Sequence, residues 1–188
     1  MMTDEQNRRT KKMMLWFGMI SMAMTFAGLT SAYVVSSTRA DWLSNFEIPQ
    51  AFYYSTILIL LSSASFFWAE RSLKNEQYTQ AKLGVWTTLA IAIAFIYTQF
   101  QGFSAIIAQG YYFTGPESSI TTSFLYVLVM LHLAHLVAGI IILLVVLIRL
   151  QLGRYTANKS LGMELAVLFW HFLDFLWVYL FCFVLFYR

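Results

Sequence analysis

The sequence predicts an all-α integral membrane protein: a bundle of five transmembrane helices, N-terminus inside and C-terminus outside. Three observations predict it. Of 188 residues, 60% are hydrophobic, 18% aromatic and only 11% charged, whereas a soluble domain carries roughly 25% charge to cover its surface. Five apolar runs follow one another, each longer than the ~20 residues a helix needs to cross a ~30 Å hydrocarbon core. The Lys and Arg residues cluster in the segments that alternate spans place on one side.

Residues 1–12 read as a polar N-terminal tail with Arg8, Arg9, Lys11 and Lys12. Residues 13–188 read as one transmembrane domain. Its first span, 13–37, holds no charge. The apolar core of a cleaved signal peptide is about 7–15 residues; this run is longer and four more follow, so it is expected to stay as a span. The others are expected at 49–69, 83–108, 122–148 and 163–187. Neither proline interrupts a span. Pro49 stands at a helix start, where its missing N–H is harmless, and Pro116 lies in a Gly-Pro-Glu loop. The connections are too short for an extramembrane domain, and no internal repeat or low-complexity segment is seen.

Orientation follows from the cations. With the N-terminus inside, Arg8, Arg9, Lys11, Lys12, Arg71, Lys74, Lys82, Arg149, Arg154 and Lys159 fall inside, and only Arg39 and Arg188 outside. This is a strong positive-inside bias. The net charge of +3 is therefore a topology signal, and no nucleic-acid partner is expected. Trp16, Trp68 and Trp86 fall near the inner interface, Trp42, Tyr53, Tyr54, Tyr111 and Tyr112 near the outer one, as aromatic belts do.

Lipid gives helices no hydrophobic reason to associate, so their contacts use small residues. Ala23, Ala27 and Ser31 with Gly28 and Ala32 in the first span, Ala90 and Ala94 in the third, and Ala134 and Ala138 in the fourth are candidates. Ser62, Ser63 and Ser65 add polar packing in the second.

The chemistry-bearing residues gather in the last two spans. An ionisable group at membrane depth is expensive, hence paired or functional. Glu164 and His171, seven apart, fall within about 20° on a helix; His171 and Asp174, three apart, are neighbours. His132 and His135 share a face of the fourth span. Three readings stay open. Imidazoles and carboxylates can tie helices together, each bond contributing on the order of 1 kcal/mol. His132, His135, His171 and Asp174 can converge on zinc or non-haem iron. His and Asp can pass protons along a wet path. Glu164 can also sit solvated at the headgroup level. Trp170 and Trp177, seven apart, read as packing residues. Gln99 and Gln101 are expected to face protein, because an amide in lipid lacks partners.

Cys182, the single cysteine, allows no internal disulfide, Cys-based zinc site or iron–sulfur cluster and reads as a small hydrophobe. No phosphate-binding loop, dinucleotide fingerprint, nucleophile elbow or His-Glu-x-x-His motif appears. Proline-free spans without repeats weaken a transporter reading.

Glu164 followed by Trp170-His171-Phe172-Leu173-Asp174 and Trp177 resembles the last-helix signature of the cytochrome c oxidase subunit III family. His132-x-x-His135 with Gly139 is similar to that family's His-Gly-x-His-Val-x-x-Gly element, with Ala134 at the central Gly. Ala27-Gly28-Leu29 with Ala32-Tyr33 resembles its Phe-Ala-Gly-x-x-x-Ala-Tyr helix, and Gln99 sits where the family has a late-helix Gln. The resemblance covers about residues 20–181 and fits the five-helix form that lacks the first two helices of the longer one. It implies a non-catalytic accessory subunit of a respiratory haem-copper oxidase in the bacterial cytoplasmic (inner) membrane. Haem and copper are then expected in the partner catalytic subunit I, with none in this chain and no metal site. Subunit I, other oxidase subunits and membrane lipids are the implied partners, with a larger respiratory supercomplex left open. Such subunits hold phospholipid in a cleft between helix groups and support proton uptake. In that setting His132, His135, Glu164, His171 and Asp174 are expected to form a buried polar network, with Trp170, Trp177 and Gln99 as packing or lipid-cleft residues. One departure stands out: the family's Ser-Glu is Ser21-Met22 here, so a role that needs that Glu to ionise does not carry over. Two alternatives remain within the family, a quinol oxidase subunit III and the protein that accompanies nitric oxide reductase. Outside it stand a free-standing metal-dependent membrane enzyme using the three histidines and a small transporter.

Overall fold

The computed structural model describes residues 4–39, 42, 48–113, 119–156 and 160–187. Pro116, Lys159 and Arg188, named above, and residues 1–3 of the tail lie outside them. Five helices form: α1 Asp4–Ser36, α2 Gln50–Lys74, α3 Tyr78–Ala108, α4 Ile120–Gln151 and α5 Leu161–Phe186. No strand occurs among the described residues. All five helices are long and apolar enough to cross a bilayer, as the sequence predicts.

The helices outrun the apolar runs because backbone hydrogen bonding continues past the last apolar side chain until something stops it. α1 starts at Asp4, so the charged stretch before Met13 is helical and carries an i,i+4 ion pair, Arg9–Glu5 at 2.7 Å. α2 continues to Lys74, beyond its polar end, and stops where Glu76 takes a left-handed φ of 61°. That residue turns the chain straight into α3. Pro49 directly precedes α2. α4 opens on a capping box in which the Ser119 hydroxyl accepts from the Thr122 amide at 3.2 Å, satisfying a backbone N–H that the first turn leaves free.

α2 and α3 pack along much of their length as an antiparallel hairpin. α3 then meets α4, α4 meets α5, and α5 returns to α2, closing a ring of four helices. α1 stands outside it, against α4 and α5 alone. Two glycines let the ring close. A Cβ on Gly84 would come within 2.7 Å of Ala69 Cβ, and one on Gly139 within 2.9 Å of Leu173 and 3.3 Å of Trp170. The backbones of α2 and α3, and of α4 and α5, thus approach as only small residues allow.

The expected small-residue contacts are corrected in three helices: Ala90 of α3 and Ala134 and Ala138 of α4 are exposed, Ala94 is half-buried, and α1 departs furthest. Its small residues Ala23, Ala27, Gly28, Ser31 and Ala32 are all exposed, and nothing lies within 4 Å of a Cβ built on Gly28. The helix docks instead through the bulky stripe Met19, Phe26 and Tyr33, all buried. Tyr33 packs edge-on to Phe124 of α4 and Phe183 of α5, and Trp42 covers it at 4.7 Å. Trp42 is therefore a packing residue here. Because α1 and α2 both lean on α5 and not on each other, a groove of about 430 Å³ opens between them, lined by Trp16, Phe67, Glu70, Leu168 and His171 among others.

Candidate functional site

The ring is held by a ladder between α2 and α5. Trp170 Nε1 donates to Ser62 Oγ at 3.0 Å and Trp177 Nε1 to Thr56 Oγ1 at 3.1 Å. The helices are antiparallel, so the later tryptophan meets the earlier hydroxyl. Trp170 and Trp177 are among the largest fully buried side chains. A buried indole N–H needs an acceptor, and these two find theirs on α2. Gln99 reaches from α3 to the same helix, its Nε2 donating to Ser55 Oγ at 2.9 Å. α2 thus presents Ser55, Thr56, Ser62 and Ser63 inward. The two seven-residue repeats of hydroxyl positions, 55/62 and 56/63, match the seven-residue Trp spacing. The sequence carries that match, and the expected polar packing of Ser62 and Ser63 extends to Ser55 and Thr56.

The five ionisable candidates occupy four places, and no hydrogen bond joins any two of them. His132 lies fully buried inside the ring, against Trp177 at 5.2 Å and Phe95 at 6.3 Å between ring centroids. His135, three residues on, turns toward α1, donating Nδ1–H to its own Leu131 carbonyl at 2.8 Å and meeting Phe26 at 5.8 Å. His171 lines the groove and touches the Ser63 hydroxyl through Nδ1. Asp174 is buried one turn further along α5, facing Ser63 from inside the ring. Glu164 sits at the start of α5 and grips α1: Arg8 at 3.3 Å, Lys12 at 3.1 Å, and its own N-cap residue Ser160 at 3.0 Å. Its near-alignment with His171 does not give the two a common partner: Glu164 is held by Arg8 and Lys12 of α1, His171 by Ser63 of α2.

Some of these atoms are poorly served. Both ring nitrogens of His132, both carboxyl oxygens of Asp174 and Oε1 of Gln99 are buried without a hydrogen-bond partner. Each such atom costs about 1–3 kcal/mol, so the ring interior is the expensive part of the fold. Gln101 departs from its neighbour: it is exposed while Gln99 is buried, since two residues on a helix point about 200° apart. Met22 is partly buried on the docking side of α1, packed against the core. The sequence also passed over two contacts of α1, the Arg8 and Lys12 pairings with Glu164 and a 3.0 Å hydrogen bond between Thr30 and Tyr179 of α5.

The three histidines point into three different surroundings. No group of three or more His, Cys, Asp or Glu side chains is placed to hold a metal among the described residues. The class this defines is a multi-pass helical membrane protein whose polar side chains work between its own helices. The chain belongs to the cytochrome c oxidase subunit III family, whose model matches residues 10–188. It is 35% identical over 129 residues to cytochrome c oxidase subunit 3 of Pylaiella littoralis, covering 69% of this chain and 45% of that protein. It is 28% identical over 170 residues to cytochrome bo(3) ubiquinol oxidase subunit 3 of Pseudomonas aeruginosa, covering 88% and 79%. To cytochrome c oxidase subunit 3 of Alkalihalophilus pseudofirmus it is 29% identical over 157 residues, covering 84% and 73%. The chain thus spans about half the length of the Pylaiella protein and about three quarters of the two bacterial ones.

Proposed function

We propose that this chain is the non-catalytic accessory subunit of a bacterial haem-copper terminal oxidase, seated beside the catalytic subunit in the cytoplasmic membrane with its N-terminus inside. Electrons pass through haem and copper in subunit I, and this chain supports that subunit, lipid binding and proton uptake. The observation that carries the reading is the placement of the family signature. Trp170, His171 and Trp177 meet hydroxyls of this chain's own α2, which suits a scaffold better than a redox centre. The divergence of the three histidines supports it further. The groove between α1 and α2, with aromatic side chains and the Lys12 and Lys74 ammonium groups on its rim, suits a phospholipid.

A second reading is favoured by the Pseudomonas relative, a ubiquinol oxidase subunit matched over most of both chains: the electron donor is quinol in place of cytochrome c. One experiment tests both. Tagged chain extracted from its native membrane in mild detergent should bring down stoichiometric haem absorbance, which disappears when the partner is stripped away. Oxygen consumption with quinol or with reduced cytochrome c then names the donor. Haem or metal that stays with the purified single chain would overturn the proposal.

A further inference from the structure

We propose that Met13 and Met14 are a reversible oxidation site: a thioether pair at the edge of the first span that takes oxygen from peroxide and leaves the docking of α1 intact. Nothing in the accessory-subunit reading requires such a site, so the proposal goes beyond it.

Five methionines stand along α1, at 13, 14, 19, 22 and 24. They differ in exposure and in depth. Met19 is only 2% exposed, within the stripe that docks the helix, and Met22 packs against the same core. Met13 is 55% exposed, Met14 69% and Met24 70%. Depth separates these three. The Lys12 ammonium, paired with Glu164 and about half exposed, marks the polar edge of the span. At a rise of ~1.5 Å per residue, Met13 and Met14 lie within about 3 Å of Lys12 along the axis, and Met24 about 18 Å beyond it. Met24 therefore faces hydrocarbon. Peroxide is scarce there, because its hydroxyls give up their hydrogen bonds to water on entering.

The chemistry is a two-electron oxygen transfer. The thioether sulfur attacks one oxygen of hydrogen peroxide, the O–O bond breaks, an S–O bond forms and the other oxygen leaves as water. Sulfur is oxidised and peroxide reduced. Two thiols reverse the step, giving the thioether, a disulfide and water, which is the chemistry of methionine sulfoxide reductases.

Position decides what the sulfoxide does to the fold. It is far more polar than the thioether. On the helix, Met13 and Met14 lie about 120° and 140° around the axis from Met19, so a sulfoxide on either points to water and headgroups. The same group on Met19 would enter the apolar contact with α4 and α5, where a polar atom without a partner is costly. The exposed pair thus absorbs the oxidant where it does no harm.

The test treats membranes holding the chain and its native partners with hydrogen peroxide. Peptide mass spectrometry follows the oxygen gained at each methionine. Met13 and Met14 should each gain one oxygen roughly tenfold or more faster than Met24, ~1.4 kcal/mol in barrier. Met19 and the fully buried Met163 should gain it last. Methionine sulfoxide reductase with a dithiol should remove it. Full oxidation of Met13 and Met14 should leave spin-label distances between α1 and α5 at their untreated values, whereas Met19→Gln, with an amide in place of the thioether, should widen them. Unoxidised Met13 and Met14, Met24 oxidised as fast as Met14, or an α1 loosened by oxidation of the pair would each overturn the proposal.

Discussion

α1 and the α2–α5 ring are all apolar enough to cross a bilayer and are held in opposite ways. In the ring every helix has two neighbours, glycines bring backbones together, and indoles and amides bond across the interfaces. α1 has an ion-pair grip at one end, one hydroxyl pair further along and a stripe of bulky side chains between. Only 17% of its most apolar stretch is buried, against 50% in α5. Hydropathy alone does not make a core in a membrane protein. Lipid satisfies an apolar surface as well as protein does, and geometry and hydrogen bonds decide which helices close on each other.

The contrast breaks most visibly at two glycines. Gly84→Leu should destabilise the chain by about 1–3 kcal/mol or more, since its side chain meets the Ala69 backbone and overpacking at a rigid contact has that cost. Gly28→Leu should leave the chain's own stability unchanged, because open space surrounds it. Thermal unfolding of both variants in detergent checks this, and equal losses would erase the distinction. Next, Ser62→Ala strands the Trp170 N–H inside the ring and should cost about 1–3 kcal/mol, read by unfolding titration; the double variant with Trp170→Phe should recover part of it. Glu164→Gln should act only on α1. Its cations are about half exposed, so the loss is below ~1 kcal/mol, seen as wider spin-label distances between the first turns of α1 and α5. Smallest is Thr30→Val, roughly 0.6 kcal/mol, detected as faster amide exchange in α1 with the ring unaffected.

The five spans were legible because a long uncharged run has few other readings. Their pairing was not. A helix facing lipid and a helix facing helix are both apolar, so periodicity does not mark the buried side. The small residues show the difficulty: the Ala, Gly and Ser candidates of α1 lie exposed, as do Ala90 of α3 and Ala134 and Ala138 of α4, while Met19, Phe26 and Tyr33 make the interface of α1. The candidate site was legible in its members more than in its wiring. Trp170, His171, Asp174 and Trp177 stood out, but their partners are serines and a threonine of ordinary appearance. His132 and His135 share a face loosely, about 60° apart, and that offset sends one inside the ring and the other toward α1. Glu164 and His171 align closely and still serve different helices, Glu164 meeting α1 and His171 meeting α2.

The docking of α1 carries a consequence for biogenesis. Among the described helices it packs against α4 and α5, which are synthesised after α2 and α3. α1 must therefore wait in the bilayer for these later helices before it reaches its place. Truncated chains ending before Leu161 keep α4 but lack the α5 part of the dock, so cysteine crosslinking between α1 and α4 should be weaker in them than in the full chain.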